Sequence, residues 1–138
     1  MHLDHVGLSV ESLDDQLAWY RKAFGFPAAL PFEVPPLGMR GAFLVIPGGL
    51  AIELLERPGS TPGLRAANPG EAALTRGYGH ICLRVDDVDT LHAHLLSVGA
   101  GERLAPQDSP EPGVRFCFVA DPEGNLIELH DRKGPVTP

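Results

Sequence analysis

The sequence of 138 residues has the length of one domain, and 43% hydrophobic with 21% charged residues is ordinary for a globular protein. A net charge of −7 argues against nucleic acid as the main partner, and no apolar run approaches the roughly 18 residues of a membrane span. The N-terminus lacks a secretory signal, and two cysteines cannot form a disulfide framework, so we expect a cytoplasmic protein. With 16 glycines and 14 prolines, the chain is too rich in turns for a helical bundle.

Each half of the chain has the pattern of a strand, a helix and three further strands. In the first half we predict strands at residues 3–10, 28–34, 39–46 and 50–55. The first helix follows Ser12 as N-cap and ends at Gly25. In the second half we predict strands at residues 79–85, 102–106, 113–119 and 125–130. The second helix lies between Asp87 and Gly99.

These halves are two copies of one repeat. An ungapped shift of 75 residues places residues 5–54 on residues 80–129. The matched pairs include His5 with His80, Arg40 with Arg115, Phe43 with Phe118 and Glu53 with Glu128. We therefore predict an N-terminal βαβββ module at 1–56 and a C-terminal βαβββ module at 78–133. The Pro/Gly-rich stretch at 57–77 reads as a linker with one helical turn.

Side-chain alternation along the strands places four potential metal ligands on the sheet face opposite the apolar face. The apolar residues beside them face the opposite way, as expected for strands that are covered by a helix on one side. The four residues are His5, Glu53, His80 and Glu128. Two imidazoles and two carboxylates are suitable ligands for Zn, Ni, Co, Fe or Mn, with coordination positions left for a substrate. The alternative is two ordinary sheet histidines and two solvated glutamates.

Other polar residues are weaker candidates for substrate binding. Ser9 shares the strand face of His5, and Arg84 shares that of His80. Arg84 can bind a substrate carboxylate or phosphate, or form an ordinary ion pair at the rim. His130 shares the face of Glu128 and is either an acid/base group or a polar strand end. We interpret Arg40 and its repeat counterpart as structural.

Four segments resemble a known family. They are LDHVGLSV, GYGHICLRV, LAIELLE and DPEGNLIELHD, and the resemblance spans residues 3–131. The chain resembles the vicinal oxygen chelate superfamily, which includes glyoxalase I, methylmalonyl-CoA epimerase, extradiol dioxygenases and the fosfomycin and bleomycin resistance proteins. The resemblance implies an α+β fold in which the two βαβββ modules form an eight-stranded, incompletely closed barrel-like cup around one divalent metal ion. The family's metal positions fall on His5, Glu53, His80 and Glu128.

The ligand set is most similar to that of glyoxalase I. This resemblance implies a metal-dependent lyase or isomerase that abstracts a proton next to a carbonyl through an enediolate, with Glu128 as base and Glu53 as ligand or partner base. It also implies a small-molecule substrate, either a thiol adduct or a thioester. We expect a homodimer because the open sheet edges of the modules favour pairing with a second chain. Two alternatives are an epimerase of acyl-CoA thioesters and a small-molecule binding or resistance protein. An extradiol dioxygenase is disfavoured because a fourth protein ligand at Glu53 would obstruct its open coordination sites.

Overall fold

The chain folds into two compact units that divide between Pro62 and Gly63. The structure is a computed structural model that describes residues 2–137. Met1, the first residue of the predicted N-terminal module, lies outside the described residues, as does Pro138. We call residues 2–62 the first unit and residues 63–137 the second unit. Residues 63–77 of the predicted linker are part of the second unit.

The first unit is a four-stranded sheet with one long helix. Its elements are β1 (His5–Val10), α1 (Leu13–Phe24), β2 (Ala28–Val34), a short 3₁₀ turn (Pro35–Leu37), β3 (Met39–Ile46) and β4 (Leu50–Glu56). The strands lie in the order β1–β4–β3–β2, with β1 parallel to β4 and the other pairs antiparallel. The predicted βαβββ pattern is confirmed, and β1 begins two residues later than predicted.

The second unit repeats this topology. Its elements are α2 (Pro69–Ala72), β5 (His80–Arg84), α3 (Val88–Ser97), β6 (Gly101–Asp108), β7 (Arg115–Ala120) and β8 (Leu126–His130). The strands lie in the order β5–β8–β7–β6, with β5 parallel to β8. The predicted α+β class with two βαβββ repeats is confirmed. Strand β6 continues past Pro106, where the sequence predicted its end, because proline is tolerated in an edge strand.

The two long helices begin as the sequence predicts. The side chain of Ser12 accepts a hydrogen bond from the backbone N–H of Asp15, and that of Asp87 accepts one from Thr90 N–H at 2.9 Å. Gly25 ends α1 in the left-handed conformation, with φ of 73°, which glycine adopts without steric cost. The caps fix where each helix starts over its sheet.

The core of each unit lies between its helix and one face of its sheet. The largest fully buried apolar residues are Tyr20, Leu44, Ile52 and Leu54 in the first unit, and Leu95, Val119, Ile127 and Leu129 in the second. Burying a Leu or Ile side chain contributes about 1.5–3 kcal/mol. Since strand residues alternate between faces, the buried pairs on β4 and β8 direct Glu53 and Glu128 to the opposite face.

Arg40 and Arg115 stabilise corresponding places in the two units. Arg40 donates from Nε to Glu56 Oε1 at 2.8 Å and from Nη2 to Asp14 Oδ2 at 2.9 Å. Arg115 donates from both Nε and Nη2 to the carboxylate of Asp89. Each arginine therefore ties the first turn of a helix to the sheet below it, and the structural interpretation of both is confirmed.

The predicted linker contributes to the second unit. Ala66 and Ala72, which flank and end the short helix α2, pack against Ala120 and Leu126 of the sheet. Asn68 caps this helix by accepting a hydrogen bond from Glu71 N–H at 2.9 Å. No helix within residues 2–137 has the length and apolar character to cross a bilayer.

Gly41 allows two strands of the first unit to share an aromatic contact. A Cβ atom at this position would lie 2.5 Å from Cζ of Phe32 and 2.7 Å from the carbonyl oxygen of Leu54. Without that Cβ, the ring of Phe32 reaches from the edge strand β2 across β3, where its centroid lies 6.0 Å from that of Phe43.

The second unit obtains the same aromatic contact from another strand. Phe116 occupies the repeat position of Gly41, and Gln107 occupies that of Phe32. The centroid of the Phe116 ring lies 6.2 Å from that of Phe118, the counterpart of Phe43. The two copies thus exchange which strand supplies the second ring.

We expect Gly41→Ala to lower the free energy of unfolding by about 1–3 kcal/mol, because the added methyl group overpacks the contact between Phe32 and the β4 backbone. Urea unfolding followed by circular dichroism measures the change. The matched control is Gly134→Ala, whose Cβ meets no atom within 4 Å and should change stability by less than about 0.5 kcal/mol. Equal stabilities for the two variants would contradict the close-approach role of Gly41.

Candidate metal centre

The first unit brings His5 and Glu53 together. Strand β1 runs parallel to β4, with His5 opposite Ala51 and Gly7 opposite Glu53. The two side chains project from the same face, and His5 Nε2 lies 3.6 Å from Glu53 Oε2. The register of a parallel strand pair therefore turns a sequence separation of 48 residues into a direct contact.

The second unit brings His80 and Glu128 together in the same way. Strand β5 runs parallel to β8, and Cys82 lies opposite Glu128. His80 Nε2 lies 3.1 Å from Glu128 Oε2. The side chains of the two histidines are 38% and 39% exposed, and those of the two glutamates are 21% and 22% exposed. The two units therefore share both the His–Glu contact and the solvent exposure of its side chains.

Each His–Glu pair has the geometry of two ligands of one metal ion. Two ligands that are each about 2.1 Å from a metal lie roughly 3.0–3.5 Å apart at ordinary coordination angles. The separation of 3.1 Å in the second unit lies within that range, and the separation of 3.6 Å in the first unit lies just above it. Within neither unit do the described residues form a group of three or more His, Cys, Asp or Glu side chains that could hold a metal ion. Each unit thus supplies two suitable ligands, where protein metal sites commonly use three or four.

Asp4 orients the ring of His5, which the sequence analysis did not predict. Its Oδ1 lies 2.8 Å from His5 Nδ1, and a proton on Nδ1 leaves the Nε2 lone pair directed at Glu53. The hydrogen bond to Asp4, and then the charge of Glu53, raise the pKa of His5 against an opposing desolvation effect. Gly79 holds the repeat position of Asp4, so His80 lacks this carboxylate. The signal in the sequence was an acidic residue directly before His5.

A phenylalanine from the neighbouring strand borders each pair. Phe43 lies opposite Glu53 and meets the His5 ring edge to face, with centroids 5.4 Å apart. Phe118 lies opposite Glu128 and meets the His80 ring in the same manner at 5.1 Å. The repeat matched these rings in the sequence, but only the structure shows their contact with the histidines. They give each pair an apolar border on one side.

A tight turn sets the start of β8 and hence the position of Glu128. The buried carboxylate of Asp121 accepts hydrogen bonds from the backbone N–H groups of Glu123 and Asn125 and from the Asn125 side chain, all at 2.9 Å. Gly124 adopts a φ of 90° in this turn, and the aliphatic part of Arg65 packs against it. The DPEGN sequence is therefore a hydrogen-bonded turn that fixes the register of the strand after it.

The surroundings of the two glutamates differ. Gly7, the register partner of Glu53, has no side chain to place beside that carboxylate. At its repeat position, Cys82 places a thiol beside Glu128. Desolvation, and then the charge of Glu128 with its hydrogen bond to the thiol, raise the pKa of Cys82. Burial also raises the pKa of Cys117, to about 12.

The structure brings two of the weaker candidates together. Arg84 is the register partner of His130 across the parallel β5–β8 pair, on the face that carries His80 and Glu128. Ser9 occupies the corresponding position in the first unit, where its partner is Leu55. Arg132, which the sequence analysis did not single out, contacts both nitrogens of the His130 ring at 3.2 and 3.3 Å.

Two βαβββ units, each with a His–Glu pair on the sheet face away from its helix, define the class of protein. Residues 2–129 match the family model of the Glyoxalase/Bleomycin resistance protein/Dioxygenase superfamily. The chain belongs to this superfamily, and the resemblance noted in the sequence is confirmed.

Known relatives within the superfamily have several activities. The chain is 30% identical to the ethylmalonyl-CoA/methylmalonyl-CoA epimerase of Cereibacter sphaeroides, over 92% of this chain and 95% of that one. It is 28% identical to the lactoylglutathione lyase of Schizosaccharomyces pombe over 92% of this chain, but spans only 46% of that protein. The fold matches glyoxalase I from Zea mays with a TM-score of 0.77 over 96% of this chain and 45% of that one. Identity to the maize protein is 24%, so that likeness concerns the fold.

We expect both thiols of the folded, metal-free protein to react slowly with iodoacetamide. Only the thiolate reacts, and the raised pKa values leave little thiolate at about pH 8. Alkylation of the buried Cys117 should be at least about 100-fold slower than in urea, and alkylation of the exposed Cys82 should be slowed to a smaller extent. The variant Cys117→Ala isolates Cys82, and Cys82→Ala isolates Cys117. The Cys82 rate should rise with pH, and equal rates in the folded and unfolded chains would contradict the assigned environment.

Proposed function

We propose that the protein is a divalent-metal-dependent enzyme that abstracts a proton next to a carbonyl group, as a lyase or isomerase. The observation that carries the proposal is the duplicated His–Glu pair, with Nε2–Oε2 distances of 3.6 and 3.1 Å and closely similar exposure. Ordinary surface residues have no reason to keep the same contact and solvent access in two diverged copies. Enzymes among the relatives support a catalytic role.

His5, Glu53, His80 and Glu128 would together hold one metal ion. Nitrogen and carboxylate oxygen donors suit Ni, Co, Zn, Mn or Fe. When bound, such a cation acts as a Lewis acid and stabilises negative charge on the substrate's oxygens. Membership of the superfamily supports the use of one site by both pairs, since two ligands from one unit alone would bind a metal weakly. We further propose a cytoplasmic homodimer.

The protein's own residues then move the proton. Glu128 would accept it at a carboxylate oxygen and return it to a neighbouring position of the substrate, with Glu53 as ligand or partner base. The Phe43 and Phe118 rings border the pairs, and an apolar border strengthens electrostatic interactions at the reacting groups. Asp4 keeps the His5 ring in one orientation.

Two substrate classes fit this chemistry. The set of two histidines and two glutamates favours a glyoxalase-type reaction on a thiol adduct. The match to an ethylmalonyl-CoA/methylmalonyl-CoA epimerase over 95% of its length favours epimerisation of an acyl thioester. A pure small-molecule binding protein would not require the paired donors. Nuclear magnetic resonance assays on hemithioacetals and acyl-CoA thioesters distinguish the two reactions.

We expect about one divalent metal ion per chain after reconstitution, measured by elemental analysis. His80→Ala should release most of the metal because it removes one of the two donors of the second unit. His94→Ala, an exposed histidine on α3, is the matched control and should retain the metal. EDTA should abolish turnover. A chain that takes up no metal contradicts the proposal, and small-molecule binding unaffected by EDTA would support the binding-protein alternative.

We expect Glu128→Gln to retain most of its metal and to lose roughly 100- to 10,000-fold in kcat, the usual contribution of a general base. The amide keeps the shape of the side chain but cannot accept the substrate proton. Glu33→Gln, an exposed glutamate on β2, is the control and should turn over normally. Turnover near the wild-type level in Glu128→Gln, with an inactive Glu53→Gln, would show that the two glutamates have the opposite roles.

A further inference from the structure

The internal repeat separates residues that the two units share from residues that only one has. On the face of the His–Glu pairs, both units keep the histidine, the glutamate and the bordering phenylalanine. Next to these, the first unit has Ser9 opposite Leu55. The second unit has Arg84 opposite His130 at the same positions. The second unit is therefore cationic where the first is neutral.

Arg84 is an exposed guanidinium without a counter-ion. Arg40, Arg115 and Arg132 each form an ion pair with a carboxylate. For Arg84, no carboxylate within residues 2–137 lies in ion-pair contact. Because a guanidinium always carries its charge and presents several N–H donors, Arg84 can bind an anion in two-point fashion.

The shorter of the two contacts with Arg132 assigns the tautomer of His130. The N–H of Arg132 donates to His130 Nδ1 at 3.2 Å, and a backbone N–H cannot accept a hydrogen bond. Nδ1 is therefore the acceptor nitrogen, and the proton of the ring lies on Nε2. Arg84 is the register partner of His130 on the neighbouring strand.

Two hydrogen-bond donors consequently meet without an acceptor between them. Nη1 of Arg132 lies 3.3 Å from His130 Nε2, and both atoms carry hydrogen. Glu111 binds the other side of the Arg132 guanidinium, through Nε at 2.7 Å and through Nη2. Glu111 orients Arg132 but does not accept from Nη1. An oxygen atom that bridges Nη1 and Nε2 would satisfy both donors.

The register also limits the position of such an anion. His130 lies two residues beyond Glu128 on β8, a distance of roughly 7 Å along the strand, on the same face. An anionic group bound there is within a few bonds of a carbon that reacts at Glu128. A carboxylate on the reacting fragment meets this limit. A phosphate at the far end of a long carrier does not.

We propose that Arg84, His130 and Arg132 form a binding site for a carboxylate of the substrate, on the second unit only. This proposal rests on the proposed function. It identifies the substrate class as a carbonyl compound or thioester with a carboxylate near the reacting carbon. Arg84 supplies charge, and His130 and Arg132 supply the bridged pair of donors. Glu111 is a positioning residue.

Isothermal titration calorimetry with succinamate, which carries one carboxylate, and with the uncharged diamide, succinamide, tests this site. The two probes differ only in that carboxylate. We expect succinamate to bind the wild-type protein at least about 10-fold more tightly, as for a charge-assisted contact, and Arg84→Gln to bring the ratio close to one. Arg84→Lys should retain part of the preference. The control Arg57→Gln, at the repeat position of Arg132, should keep the full ratio.

The titrations are made on metal-loaded and on metal-free protein, so that a failure of the carboxylate-site proposal can be distinguished from a failure of the proposed metal-dependent function. Metal uptake with the same ratio in wild type and Arg84→Gln contradicts the carboxylate site alone. A chain without metal contradicts the proposed function, and the metal-free titration then decides the carboxylate site. Inorganic phosphate is the third probe. Arg84-dependent binding of phosphate without binding of succinamate, or no Arg84-dependent binding of either, overturns the proposal.

Discussion

The parallel pairing of the first and last strands in each unit is the constraint on which the candidate metal centre depends. It places His5 beside Glu53 and His80 beside Glu128 although each pair is far apart in sequence. A slip of one residue would turn either partner toward the helix. The slip is prevented by burial, because Ile52 and Ile127 lie under their helices and would have to become exposed. The energy that fixes the polar pair therefore comes from the apolar face of the same strands.

Both copies of the repeat keep the His–Glu pair, but some of the residues that pack around it differ between the two units. Arg40 and Arg115 tie a helix to a sheet at equivalent positions in the two units. Phe43 and Phe118 hold equivalent positions, but the ring that packs against each differs in origin, since β2 supplies Phe32 to the first unit and β7 supplies Phe116 to the second. Gly41 is required only where the ring comes from the neighbouring strand. Packing thus tolerates exchange of the supporting residues as long as a ring fills the same place.

The sequence predicted what depends on periodicity and repetition. Alternation assigned the faces of β1, β4, β5 and β8, and the 75-residue shift paired the four candidate ligands. Contacts that depend on side-chain rotamers were not predictable. The bond of Asp4 to His5, the reach of Phe32 across Gly41 and the hold of Arg132 on His130 belong to this group. Each joins residues whose spacing follows no period.

The difference between the two units bears on which glutamate reacts. A substrate that presents one anionic group has no equivalent partner in the first unit, where Ser9 and Leu55 stand in place of Arg84 and His130. On the carboxylate-site proposal, the anion fixes the substrate over the second unit and brings its reacting carbon toward Glu128. The positive charge of Arg84 offsets the repulsion between that anion and the Glu128 carboxylate. The surroundings that select an anionic substrate therefore also favour Glu128 over Glu53 as the base, although the two carboxylates hold equivalent positions in the repeat.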